Sequence, residues 1–427
     1  MKDSPNKNTK VQRIVALVLT ALFIPVIFSF GVYSVVDAPY GAYDSLRFHR
    51  AEKFLADPDD YSFLDLFVAR LKSLEAQLGS NIMFSDQLGY INASFQYALG
   101  KDMVMQGSEQ LLKLDGGQIY NMTTRETLEP HAREVVGLYE QLDGRVPFLF
   151  AYINPQFYEG SIELPAGYDV LDKGEELADQ VLGIIRDAGI ETLDSRDFFV
   201  DCGYTDDELN LSTDMHWTTL AGLVATEIFA EEINRLSGSN LDTSKIQIDQ
   251  FETETYEDIF LGEYGQQVGE INSGLDDITL FWPKYETSFS RMSMKRNRSV
   301  TTAEGSFKDA IIKWEALNSP VKGANISAYR AYGLIEHIEE LTNHGDCEDM
   351  TILLFRDSYT APVGCFLSLM AKNVIMVDMR TADMTAIEYV EKYDPDMVIM
   401  AHSRQMFEDH AYDLGTGFEQ FAAEAGM

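Results

Sequence analysis

Hydrophobic spacing changes character several times along the chain, and each change predicts a different element. From Ile14 to Val36 there are 23 consecutive residues without a charge. As a helix this stretch spans about 35 Å, enough to cross a hydrocarbon core of about 30 Å. Lys2, Lys7, Lys10 and Arg13 precede it, and a positive flank belongs on the cytoplasmic side. Residues 1–13 are therefore expected to be cytoplasmic, 14–36 a single-pass membrane anchor, and the rest extracytoplasmic. A cleaved signal peptide is the competing reading; it calls for an apolar region of about 7–15 residues and a small-x-small site, which Ser29-Phe30-Gly31 fits poorly. Beyond the anchor, Phe63, Phe67, Leu71, Leu74 and Leu78 recur at three- and four-residue steps, and residues 37–125 are read as a helical stalk or cap.

From about residue 126 the rhythm becomes that of an α/β body extending to 427. His131–Leu142 reads as helix, Val146–Ile153 as a buried strand ended by Asn154-Pro155, Glu175–Asp187 as an amphipathic helix, and Ile190–Leu193 as a short strand. Thr219–Leu236 is a long helix. Between about 240 and 330 the pattern dissolves into spaced glycines (Gly262, Gly265, Gly269, Gly274) and scattered aromatics, which predicts an irregular β-rich insertion. It then returns: strand Met350–Phe355, helix Thr360–Met370, strand Val374–Asp378, helix Met384–Glu391 and strand Met397–Ala401, with Glu408–Met427 as a terminal helix. Such alternation implies a parallel sheet with helices on both faces and chemistry at the carboxyl ends of its strands.

Composition narrows the function. The 427 residues are 45% hydrophobic and 24% charged, so the chain is globular. Lys and Arg number 33 against 69 Asp and Glu, a net charge of −36; this excludes a general nucleic-acid binder, which needs clustered positive charge. The acidic surplus reads as a solvated extracytoplasmic surface. Three cysteines, Cys202, Cys347 and Cys365, make neither a disulfide framework nor a zinc motif.

Two segments carry candidate chemistry. In Leu211-Ser212-Thr213-Asp214-Met215-His216-Trp217-Thr218, a carboxylate and an imidazole two residues apart in an extended segment point to the same side, so that Asp214 can orient His216 as a general base. The plain alternative is a structural histidine with an acidic neighbour. In Phe355-Arg356-Asp357-Ser358-Tyr359, Ser358 stands at a strand-to-helix turn, where the helix N-terminus offers N–H groups to an oxyanion. The alternative is that Asp357 or Ser358 only caps the helix. Together the segments put a serine, a histidine and an aspartate at strand ends of one sheet, and a triad permits any chain order.

The block Thr213-Asp214-Met215-His216-Trp217-Thr218 resembles the signature of the DHHW proteins and of alginate O-acetyltransferases of the AlgX and AlgJ type. Arg356-Asp357-Ser358-Tyr359 is similar to their Gly-Asp-Ser-Tyr block, and Val377-Asp378-Met379-Arg380 to their Asp-x-Arg. The resemblance runs from roughly residue 80 to the C-terminus. It implies an SGNH-hydrolase-like three-layer α/β domain with a parallel sheet, carrying the irregular insertion and tethered by the transmembrane helix. It also implies roles: Ser358 as nucleophile, His216 as base, Asp214 as its orienter, and Arg380 as a substrate or oxyanion contact. Tyr359 and Trp217 belong to the same substrate or oxyanion group, packed behind the reacting atoms. Met215 stands where the family name has a histidine and Arg356 where the usual glycine stands, and no counterpart of the Asn block of ordinary SGNH hydrolases is present.

The implied activity is acyl transfer outside the membrane onto a surface or exported polysaccharide, beside a membrane-bound O-acyltransferase that supplies acetyl groups. With water as acceptor the same site is an acetyl-esterase. No cofactor and no metal are expected, since Asp214 and His216 find no third ligand in the sequence. A third reading is an inactive cell-envelope scaffold that stacks sugars on Trp282, Tyr285 and Tyr264.

Overall fold

The structure, a computed structural model, describes residues 85–408 except 107–108, 115, 155–163, 165–166, 169, 296–298, 319, 322–323, 326–327, 334–335 and 383, together with Val68 and Arg70. The expected anchor at 14–36, its flank 1–13, the periodic positions from Phe63 to Leu78 and the helix expected beyond Glu408 lie outside these residues. Among the described residues no helix is long and apolar enough to cross a membrane. The chain divides into two units, residues 1–92 and 93–427, and helix α1 (Ser85–Ala98) begins in the first.

In chain order the second unit then has three short strands, β1 (Met103–Gln106), β2 (Glu109–Lys113) and β3 (Ile119–Met122). Helix α2 (Glu129–Leu142), strand β4 (Phe148–Ile153), helix α3 (Gly174–Asp187), strand β5 (Glu191–Asp194) and helix α4 (Thr219–Ser237) follow. The insertion holds β6 (Phe251–Phe260), α5 (Glu263–Val268), β7 (Asp276–Pro283), β8 (Phe289–Lys295), β9 (Val300–Gly305) and two short strands, β10 (Pro320–Val321) and β11 (Ala324–Asn325). After it come β12 (Glu336–Asn343), β13 (Glu348–Arg356), α6 (Ala361–Leu367), β14 (Ala371–Val377), α7 (Ala386–Tyr393) and β15 (Met397–Ser403).

Local chemistry sets these boundaries. The Thr218 side chain accepts the Ala221 N–H to start α4, and Gly238 ends it at φ 73°, the left-handed conformation that glycine adopts without strain. Thr385 and Glu388 cap the start of α7 reciprocally.

The main sheet has eight strands in the order β5-β4-β15-β13-β14-β12-β8-β9. Neighbours from β5 to β14 pair in parallel; β12, β8 and β9 add on antiparallel. Alternate side chains along each parallel strand feed two separate cores. Ile352 and Leu354 face one, with α4 residues such as Phe229 and Ile233 and α6 residues such as Val363 and Phe366. Leu353 and Phe355 face the other, with Val135 and Leu138 of α2, Val181 and Ile185 of α3, and Tyr389 of α7. The result is three layers with β13 inside the sheet, as strand–helix alternation requires.

Two readings of the sequence need correction. Residues 103–122 are a three-stranded antiparallel sheet, not part of a helical stalk. Alternation decides this: Val104, Leu111 and Ile119 enter the large core, while Leu112, Tyr120 and Met122 form a small cluster of their own. The insertion is also less separate than its spacing suggests. Strands β6 and β7 form a sheet with β10 and β11, but β8 and β9 extend the main sheet.

Strand β12 was not legible because it carries Glu339 in its interior. That carboxylate is buried against Lys313 at 2.8 Å and accepts a bond from the Ser293 hydroxyl at 2.9 Å, as a buried charge must. His402, near the end of β15, is also fully buried. Burial lowers its pKa from 6.5 to about 4, against the opposite pull of Asp357 and Asp378.

Helices α4 and α6 approach closely at one glycine. A Cβ on Gly222 would lie 2.9 Å from Cβ of Pro362, whereas a Cβ on Gly183 in α3 meets nothing within 4 Å. Alanine gains up to about 1 kcal/mol of helix propensity over glycine, while overpacking costs about 1–3 kcal/mol. Gly183→Ala is expected to stabilise the fold and Gly222→Ala to destabilise it, read as opposite shifts of the urea midpoint. For His402 the unfolded state binds the proton first, between pH 6.5 and about 4. Its contribution is complete above pH 6.5 and is lost as pH falls toward 4, about 3 kcal/mol in all. His402→Gln should flatten that part of the stability–pH curve relative to the parent chain.

Candidate active site

Ser358 lies two residues past the end of β13 and is half-buried. Its turn is braced by Asp357, which is buried. One Asp357 carboxylate oxygen accepts the Tyr359 N–H at 3.0 Å and the other accepts the Ser403 N–H from the end of β15 at 2.6 Å. Arg356, where a glycine would be usual, is fully buried beneath the turn. The oxyanion donors expected from the following helix are reduced: Asp357 takes the Tyr359 N–H, and Pro362 in the first turn of α6 has none.

Asp214 and His216 do not sit on a sheet strand, as alternation in an extended segment suggested. They occupy a tight loop closed by a bridge between Asn210 and Trp217 and by the Leu211 N–H bound to the His216 carbonyl at 3.2 Å. The loop turns the two side chains together: Asp214 Oδ1 is 2.5 Å from His216 Nδ1 and accepts the His216 backbone N–H at 3.1 Å. Asp214 Oδ2 accepts the Glu263 N–H at 2.7 Å. His216 Nε2 is 2.6 Å from Ser358 Oγ, across 142 residues of sequence. With Nδ1 donating to the carboxylate, the Nε2 lone pair faces the serine hydroxyl.

Burial alone would push the Asp214 pKa up. The charge and hydrogen bond of His216 and the backbone N–H groups outweigh it, and the carboxyl is held below its ordinary range. Asp276 goes the other way, raised by burial. It binds the loop from the insertion side, accepting the Ser212 and Thr213 N–H groups at 2.7 and 2.9 Å and the Thr213 hydroxyl at 2.6 Å.

Two reciprocal bonds sew the histidine loop to the serine turn. Trp217 Nε1 donates to the Tyr359 carbonyl at 2.8 Å, and the Tyr359 hydroxyl donates to the Met215 carbonyl at 2.9 Å. Both rings are almost completely buried. Trp217 and Tyr359, expected behind the reacting atoms in the substrate or oxyanion group, direct their polar handles to the backbone of the opposing segment. Arg380 follows β14 and is a quarter exposed. Asp378 holds its guanidinium at two points, 2.9 and 2.8 Å. Ser358 and Arg380 each lie three residues past the last rung of the β13–β14 ladder, Phe355–Val377.

Of the aromatics considered as sugar platforms, Tyr264 is fully buried, and Trp282 carries the Lys308 ammonium 3.7 Å from its ring centre. Among the described residues no group of three or more His, Cys, Asp and Glu side chains could hold a metal ion. No residue pattern pointed to Asp276, Glu263 or Tyr329, whose ring stacks on His216 at 4.4 Å. Gly262 left a trace in the spaced glycines of the insertion.

The glycine explains how the insertion reaches Asp214. A Cβ at Gly262 would fall 2.3 Å from Asp214 Cβ and 2.5 Å from the Thr213 carbonyl oxygen, distances only a bare backbone avoids. Gly262→Ala is therefore expected to push the α5 N-terminus off the carboxylate, break the Glu263 bond and misalign His216. The reaction rate of Ser358 with a fluorophosphonate should fall about 10²-fold, while circular dichroism shows the fold retained.

No protein-family model matches the chain, and no curated protein matches it. Among solved structures, the chain is similar to a DHHW family protein from Eubacterium siraeum, at 15% identity and a TM-score of 0.55, covering 75% of this chain and 97% of that one. It is similar to PatB1 of Bacillus cereus with a sulfonyl adduct, at 16% identity and a TM-score of 0.58, covering 73% and 99%. The O-acetyltransferase domain of Pseudomonas putida AlgJ matches over 74% of this chain and 98% of that one, at 14% identity and a TM-score of 0.41. The resemblance to the DHHW proteins thus holds for the fold: this chain has the mixed α/β architecture of that protein and of PatB1.

Proposed function

We propose that the protein is a serine-dependent O-acyltransferase of the SGNH-hydrolase-like kind, acetylating a polysaccharide outside the membrane to which residues 14–36 anchor it. The observation that carries this reading is the 2.6 Å contact between His216 Nε2 and Ser358 Oγ, with the imidazole held from behind by an ionised Asp214. A hydroxyl so placed is a nucleophile with its base in hand.

In this mechanism Ser358 Oγ attacks the acetyl carbonyl of the donor as His216 takes the hydroxyl proton at Nε2. Asp214 stabilises the imidazolium. The tetrahedral intermediate collapses as His216 returns that proton to the departing donor group, leaving acetyl-Ser358. A sugar hydroxyl, deprotonated by the same nitrogen, attacks the acyl-enzyme; the proton passes back to Ser358, and the acetylated sugar leaves. Arg380, at the same rim as the serine and partly exposed, is the proposed contact for the oxyanion or the acceptor. The acetyl donor in this scheme is a membrane-bound O-acyltransferase that delivers the group across the bilayer. PatB1, of the same fold, is known with a sulfonyl adduct, and sulfonyl electrophiles react with activated hydroxyls.

The reading is tested with an activated acetyl ester, followed with and without an oligosaccharide acceptor. Ser358→Ala should abolish acetyl-enzyme formation, seen as loss of a 42 Da mass increment (the acetyl group, about 42 Da). His216→Ala should slow it by roughly 10²–10⁴-fold. Acetyl transfer to the sugar over water supports the transferase; release as acetate alone makes the protein an esterase. Undiminished turnover in Ser358→Ala removes the covalent mechanism.

A further inference from the structure

We infer that Tyr329, contributed by the insertion, is a positioning residue that fixes the plane of the His216 imidazole by stacking on it. The inference rests on the proposed role of His216 as the base for Ser358. The two rings lie 4.4 Å apart with planes 25° from parallel. A second tyrosine, Tyr359, lies 4.6 Å from the same imidazole at 44°. Tyr329 is buried and sits in a short 3₁₀ turn, Ala328–Tyr332. That turn is tied to the body of the insertion: the Ala331 carbonyl accepts the Lys313 N–H at 2.8 Å, and Tyr332 brackets Phe281, donating to its carbonyl and accepting its N–H.

The need for such a residue follows from the geometry of the imidazole. Asp214 holds Nδ1 and Ser358 meets Nε2, and these two contacts define an axis through the ring. The ring turns about its Cβ–Cγ bond, and each such turn carries both nitrogens out of the plane in which these two bonds are made, weakening both together. A flat neighbour packed against the ring face resists such a turn. Stacking also favours the imidazolium formed during acyl transfer, since the face of a neutral aromatic ring attracts a cation. Tyr329 stays neutral: burial first, then the carboxylates of Asp214 and Asp357, raise its hydroxyl well above the ordinary tyrosine range. Sequence spacing carries no trace of this contact, because Tyr329 lies 113 residues beyond His216 (329 − 216) in the least regular part of the chain.

The test compares Tyr329→Leu, which removes the flat face, with Tyr329→Phe, which keeps it. Tyr329→Leu should lower acetyl transfer from Ser358 by about tenfold or more, mainly in kcat. It should also move the acidic limb of the pH–rate profile toward lower pH in the acylation step, because the imidazolium loses its stacking partner. Tyr329→Phe should restore most of the loss and the profile. An independent readout is the His216 ring proton resonances in full-length protein: the Leu variant loses the upfield ring-current shift that the Phe variant retains. If Tyr329→Leu does not fold cooperatively, Tyr329→Met takes its place. Unchanged His216 resonances and an unchanged profile in a folded Leu or Met variant overturn the inference while leaving the serine mechanism intact. An unreactive parent enzyme with the expected resonance shifts overturns the proposed function and keeps the stacking.

Discussion

An ionised carboxylate buried beside an imidazole is the constraint around which this site is organised. Taken out of water, Asp214 would protonate unless donors replaced its hydration. Three do so: the His216 ring, the His216 backbone and the Glu263 backbone. The last belongs to the insertion and reaches the carboxylate only because Gly262 lets two backbones touch. Asp276, from the same insertion, then secures the residues just before Asp214. A segment that reads as irregular decoration is thus the scaffold of the loop that carries Asp214 and His216.

Ser358, the proposed nucleophile, has a different foundation. Ser358 rides on β13, inside the parallel region of the sheet, and its turn is fastened by Asp357 to β15. The two halves come from different layers of construction, one the carboxyl end of an interior strand and the other a loop held by an insertion. Their alignment depends on the paired bonds between Trp217 and Tyr359 and the opposing backbones. Both rings also serve as core, so the packing that stabilises the fold and the packing that sets the reacting distance are the same packing. The two functions cannot be varied separately at these positions.

Much of this was legible in the residues. The parallel strands and their helices announced themselves through continuous apolar runs and amphipathic spacing, because both faces of the sheet are covered. Asp214, His216 and Ser358 stood out because their residue types and neighbours are those that chemistry needs. What stayed hidden was held by long-range polar contact. Glu339 breaks the apolar run that would mark β12 as a buried strand, and only its contact with Lys313 accounts for its burial. The short strands at 103–122 gave too few residues for alternation to beat a helical reading. The loop bearing Asp214 and His216 looked extended because two-residue spacing suits a strand. A closed loop satisfies the same spacing when a short bridge pins its ends.

The bond from the Ser403 N–H to Asp357 has a bearing on the life of the chain during synthesis. Asp214, His216 and Ser358 are all made before β15 exists, yet the Asp357 carboxylate under Ser358 gains its Ser403 partner only when that strand slots between β4 and β13. Pairings this distant in sequence form late in folding. The turn under Ser358 is therefore fastened to its neighbouring strand only at completion, and a half-emerged chain carries Asp214, His216 and Ser358 without that tie.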